Sequence, residues 1–154
     1  HRTNYRDPQA RAAIDEALAL SRSLVQRDLS DLGSARLLAL VLEVKAQTLA
    51  DAGRKAEVIA TTEELLALHE TLVKAGGNTP GALRSMTAAL RTRGGDFYGL
   101  GDIPNACRMW RLAVRNYELL DGQDALPEFD RKNGWPELTR LIDEVCVRGL
   151  RPEV

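Results

Sequence analysis

The chain is predicted to be all-α, an antiparallel helix-pair solenoid of about six helices. Three observations predict this. Leu18-Ala19-Leu20-Ser21-Arg22-Ser23-Leu24-Val25 recurs 48 positions on as Leu66-Ala67-Leu68-His69-Glu70-Thr71-Leu72-Val73, and Val114, Glu118 and Leu120 stand one period further along. Gly53 and Gly101, also 48 apart, mark the same turn in successive copies. A fixed period in this range is the signature of stacked supersecondary units that bury their apolar faces only against neighbours. Second, Ala and Leu dominate while aromatics make up 5%, and both dominant residues lose little on entering a helix. Third, no stretch alternates apolar and polar residues as a half-buried strand would.

The elements follow in order. After Asp7-Pro8, a cap and a first-turn proline, the apolar residues Ala13, Ile14, Ala17, Leu18, Leu20, Leu24 and Val25 form a helical stripe to about Arg27. The segment from Asp28 to Ser34 reads as a loop, with Ser34 capping a helix that carries Leu37, Leu38, Val41, Leu42, Val44, Leu49 and Ala50. Gly53 closes it in a left-handed conformation. A third helix runs from about Lys55 to Ala75, and Thr79-Pro80 opens a fourth that runs to about Gly99. Leu100-Gly101-Asp102 is a tight turn, and Asp102 caps a fifth helix from Ile103 to about Leu120. Asp121 to Asn133 is loop-like. Gly134-Trp135-Pro136-Glu137 starts a last amphipathic helix through Leu138, Leu141, Ile142, Val145 and Cys146.

At 154 residues and 44% hydrophobic content the chain is long enough for one domain with its own core. A net charge of −1 gives no reason to expect nucleic acid or an anionic membrane as partner. The longest uncharged apolar run, Leu37 to Leu42, falls far short of the ~20 residues that span a bilayer. Cys107 and Cys146, the only cysteines, sit inside apolar helical patterns and read as two buried thiols of a reducing, cytoplasmic compartment. The absence of an initiator Met, and an opening inside an unfinished repeat, suggest a fragment of a longer protein.

The pattern within each unit resembles the tetratricopeptide repeat, two antiparallel helices A and B that nest through small and large residues at set positions. Started at Thr87, the motif places small Gly94, bulky Phe97, turn Gly101, small Ala106, aromatic Trp110 and small Ala113 in one register. Started at Ala39, it places Leu42, Ala46, Leu49 and Gly53, but Val58, Thr62 and Leu65 replace the small, aromatic and small residues of helix B. Glu70 and Glu118 stand where a typical unit ends in proline, so helix B is expected to run about two turns longer than usual. The resemblance implies one domain over 1–154, with 7–27 a lone helix B, 35–75 and 81–121 repeats and 135–149 a capping helix. The helix B ending also looks like that of long-period repeats in bacterial multidomain signalling proteins, eukaryotic-like serine/threonine kinases among them, although no kinase motif occurs here.

In this family the helix A faces line a groove for peptides. By register the groove positions are Leu40, Glu43, Gln47 and Ala50, then Ala88, Arg91, Gly95 and Tyr98. Glu43, Gln47, Arg91 and Tyr98 are the expected contacts to a protein or peptide partner. Arg108, Arg111 and Arg115 share one face of helix B and form a second candidate, a docking patch set against the alternative of a solvated outer face. Gly94 to Gly101 is glycine-rich but lies in and after a helix with no preceding strand, which excludes a phosphate cradle. His69 has no second ligand at i+4 and reads as a solvated side chain, Trp135 as an anchor for the last helix. No catalytic residue, cofactor or metal is expected. The alternative to partner capture is a regulatory or self-association domain that packs on a parent catalytic domain or on a second copy, and exposed apolar surface on 10–27 would favour it.

Overall fold

A computed structural model of the chain describes residues 8–28 and 30–153. Asp7, the expected first cap, and Leu29 lie outside the described residues. Over the described residues the protein is all-α, and it divides into two compact units, one ending at Gly77 and the other beginning at Asn78.

The first unit contains α1 (Pro8–Arg27), α2 (Leu32–Asp51) and α3 (Lys55–Ala75). Helix α2 starts earlier than the sequence suggests, because Asp31 rather than Ser34 is its cap. The Asp31 carboxylate accepts the Ser34 backbone N–H at 3.2 Å and the Ser34 hydroxyl at 2.7 Å, and these bonds hold its carboxyl below the usual range. The core gathers Leu18 from α1, Ala35, Leu38, Ala39 and Leu42 from α2, and Leu65 and Leu72 from α3. Each fully buried leucine contributes roughly 1.5–3 kcal/mol. Outside the core, Arg22 on α1 donates to both carboxylate oxygens of Glu64 on α3 at 2.7 Å.

The two turns 48 positions apart share one geometry. At Gly53 (φ 71°) the Arg54 N–H returns to the Leu49 carbonyl and the Gly53 N–H to Ala50. At Gly101 (φ 76°) Asp102 returns to Phe97 and Gly101 to Tyr98. Both are the double bond that closes a helix on a left-handed residue, where a side chain would strain the backbone. The repeat in the sequence is therefore a repeat in structure at the one place where only glycine is comfortable.

The second unit contains α4 (Pro80–Gly99), α5 (Ile103–Gly122) and a C-terminal helix made of α6 (Trp135–Leu141) between π-helical segments Asp130–Gly134 and Ile142–Val147. The expected loop from Asp121 to Asn133 is shorter at both ends, since α5 continues to Gly122 and helical backbone is under way by Asp130. The first π segment lies just before Pro136. Proline has no N–H and crowds the carbonyl four residues back, so a widened turn lets the helix pass through it.

Helices α4 and α5 close on each other at Gly94. A Cβ there would fall 2.4 Å from the Trp110 indole nitrogen, whereas a Cβ on Gly95 would meet nothing within 4 Å. Phe97, Ala106, Trp110 and Ala113 are all buried around this contact. Gly94→Ala is therefore expected to lower unfolding stability by about 1–3 kcal/mol through overpacking, while Gly95→Ala is expected to be neutral or to raise it by up to ~1 kcal/mol through helix propensity. Urea unfolding midpoints of the two variants check the pair, and equal effects would contradict the packing described.

Candidate functional site

The expected groove residues fall in both units. On α2, Leu40 is exposed, Glu43, Gln47 and Ala50 are half-buried, and Gln47 donates to Asp51 at 3.0 Å. Leu40 also belongs to a row with Leu37 and Val44 at i, i+3 and i+7, all three exposed. That row lies opposite the buried residues Leu38, Leu42 and Leu49, so α2 is apolar on two faces. The sequence showed both sets of residues without separating them.

On α4, Arg91 and Tyr98 are engaged by the chain itself. Arg91 Nη1 donates to the Tyr117 hydroxyl at 3.3 Å, and Tyr117 donates in turn to Asp130 at 3.4 Å. Arg91 also lies 3.9 Å from Asp130 and 3.8 Å from Glu137. Burial raises the Tyr117 phenol above its usual range, Arg91 opposes that shift and the Asp130 charge adds to it. A side chain at Gly134 would intrude here, because its Cβ would lie 2.8 Å from the Tyr117 hydroxyl and 2.9 Å from the Asp130 carboxylate. Trp135 stacks on the Tyr117 ring at 6.3 Å. One turn past Gly95, Tyr98 packs on Trp110 with centroids 5.8 Å apart and donates its hydroxyl to the Pro152 carbonyl.

Between α4 and α6 a cleft of about 380 Å³ remains. Ala88, Arg91, Thr92 and Gly95 of α4 line one wall and Glu137, Leu138 and Leu141 of α6 the other, with the buried Trp110 of α5 beneath them. The lining is mixed, with charges of both signs from Arg91 and Glu137 beside the apolar Ala88, Leu138 and Leu141. Arg108, Arg111 and Arg115 lie elsewhere, exposed on the side of α5 away from the buried Trp110, Ala113 and Tyr117.

Two expectations are corrected. Cys107 and Cys146, read as free thiols, form a disulfide that joins α5 to the C-terminal helix. Their spacing in sequence carried no sign of this, because it depends on the C-terminal helix turning back onto α5. His69, read as solvated, is 6% exposed and lies on the stripe of Leu65, Leu66, Leu72 and Val73. Its place at i+3 and i+4 from apolar residues was a legible signal. Arg93, which the sequence reading passed over, is 1% exposed on the stripe of Met86, Leu90 and Phe97, paired with Asp96 at 3.0 Å.

Among the described residues there is no helix long and apolar enough to cross a membrane, and no cluster of three or more His, Cys, Asp or Glu placed to hold a metal ion. Compared with protein-family models, with curated proteins and with solved structures, the chain matches none of them.

Burial holds the His69 imidazole below its ordinary pKa of 6.5, and its Nε2 has no hydrogen-bond partner among the described residues. The folded protein thus keeps it neutral where the unfolded chain protonates. Stability is full above pH 6.5 and is lost as pH falls from there toward the folded value, because the unfolded state then binds more protons. Unfolding midpoints recorded from pH 8 to pH 5 are expected to fall less steeply in His69→Leu than in the parent. Parallel curves would place the acid sensitivity elsewhere.

Proposed function

We propose that the chain is a protein-interaction module whose main contact surface is the outward face of α2, suited to an amphipathic helix or peptide of a partner protein. The row Leu37, Leu40 and Val44 carries this reading, at 43%, 64% and 50% exposure. Aliphatic side chains at helical spacing that face water are one half of a helix-in-groove interface. Glu43 and Gln47 border the row and give it polar contacts. The α4 face with Arg91 and Tyr98 is the corresponding surface of the second unit, and the arginines at 108, 111 and 115 form a lesser basic patch for an acidic segment.

The tetratricopeptide resemblance supports the same reading. The Gly94 and Trp110 approach and the matching turns at Gly53 and Gly101 are the kind of nesting that motif requires. No catalysis, cofactor or metal is assigned to the chain. The disulfide favours an oxidising compartment over the cytoplasm that free thiols had suggested.

A second reading, a regulatory domain that self-associates or packs on a parent signalling enzyme, is favoured by Leu20 of α1, which is 61% exposed. Ile14 and Leu18 of the same helix are buried and would take no part in it.

A Leu40→Asp, Val44→Asp variant separates these readings. It is expected to lose more than ten-fold of the partner retained from a lysate of the source organism, quantified by mass spectrometry, with helicity unchanged by circular dichroism. An Arg91→Glu, Tyr98→Ala variant reports on the α4 face independently. The same proteins retained by parent and both variants would contradict partner capture. A sedimentation mass above 16.9 kDa that falls in a Leu20→Asp variant would favour self-association.

A further inference from the structure

The protein's own C-terminal segment occupies the α4 face that the interaction reading gives to a partner. It reaches that face at two places, through Asp130 and Glu137 to Arg91 and through the Pro152 carbonyl to the Tyr98 hydroxyl. Between them the cleft stays open beside Gly95. The two ion pairs are long and partly exposed, which makes them weak. The C-terminal helix is held instead on α5, with Leu138, Leu141 and Val145 buried and Cys146 bonded to Cys107.

We propose that the Cys107–Cys146 disulfide is a redox latch: it keeps the C-terminal helix strapped across the α4 face, and a dithiol reductant releases the strap and uncovers Arg91 and Tyr98. What then binds rests on the interaction reading, whereas the release does not. The α4 and α5 pair has a packed seam of its own in Leu83, Leu90, Gly94, Phe97, Met109 and Trp110, all outside the C-terminal helix. Loss of the bond therefore frees the strap without dismantling the surface beneath it.

The chemistry is thiol–disulfide exchange. Cys107 is 5% exposed and Cys146 more so, which makes the Cys146 sulfur the accessible one. A thiolate of the dithiol attacks Cys146 Sγ, the S–S bond breaks, and Cys107 leaves as a thiolate. The second thiol of the reductant then closes on the mixed disulfide and releases Cys146. Both cysteines take up a proton and end as thiols, and the dithiol, having given two electrons and two protons, ends as its own disulfide.

Hydrogen exchange followed by mass spectrometry on the full chain, with and without dithiothreitol, tests the latch. Amides of residues 135–147 are expected to exchange at least ten-fold faster after reduction, with residues 83–97 and 106–117 unchanged. A Cys146→Ser variant is expected to behave as the reduced protein without any added reductant. Unchanged exchange in 135–147 would overturn the proposal by showing the helix docked without the bond. Equal acceleration through α4 and α5 would overturn it too, by making the bond a staple of the whole unit. Release of the strap with no gain in partner capture by the reduced form would leave the latch standing and count against a partner on the α4 face.

Discussion

The C-terminal helix of the second unit seats a short apolar ridge, with Leu138, Leu141 and Val145 buried and Trp135 and Ile142 half-buried. The Cys107–Cys146 bond removes much of the freedom that undocking would regain, on a scale of about 3–4 kcal/mol for a loop of this length. Much else in the unit follows from that anchorage. With the helix seated, Asp130 and Glu137 stand near Arg91, Trp135 stacks on Tyr117, and the chain beyond it brings Pro152 to Tyr98. The cleft beside Gly95 exists because the helix sits on α5 and leaves the α4 side unfilled.

The surface beneath depends on a different constraint. Trp110 lies against a backbone with no Cβ in its way, so α4 and α5 approach more closely than any other residue at position 94 would allow. Gly95 is adjacent to Gly94 and so is turned off the packed seam, and Arg91, four residues before Gly95, lines the same cleft. The buried face and the cleft-lining face of α4 thus meet along this pair of glycines. Replacing only one glycine of the pair separates the two roles.

Much of the fold was legible because it obeys local rules. The period of 48 residues, the glycines at 53 and 101 and the small–large register from Gly94 to Ala113 all reflect backbone geometry or direct packing, which leave residue-level marks. The start of α2 was misplaced because Asp31 and Ser34 are both good caps and the side-chain bonds run from one to the other. The π-helical turn before Pro136 was not legible, since widening a helix leaves composition unchanged. Arg91 and Tyr98 were candidates by register, but their engagement by Glu137 and Pro152 depends on how a remote segment folds back. The disulfide was hidden for the same reason. The exposed row on α2 was present in the sequence yet indistinguishable from core, because both faces of that helix are aliphatic.

The docked C-terminal helix is the feature on which the proposed latch rests, and its covalent anchor can be observed directly. Protein purified without reductant, alkylated under denaturing conditions and digested, is expected to yield a single peptide pair joined through Cys107 and Cys146, with no alkylated cysteine. Recovery of both cysteines as alkylated free thiols would contradict the account, leaving the α4 face without its covalent strap.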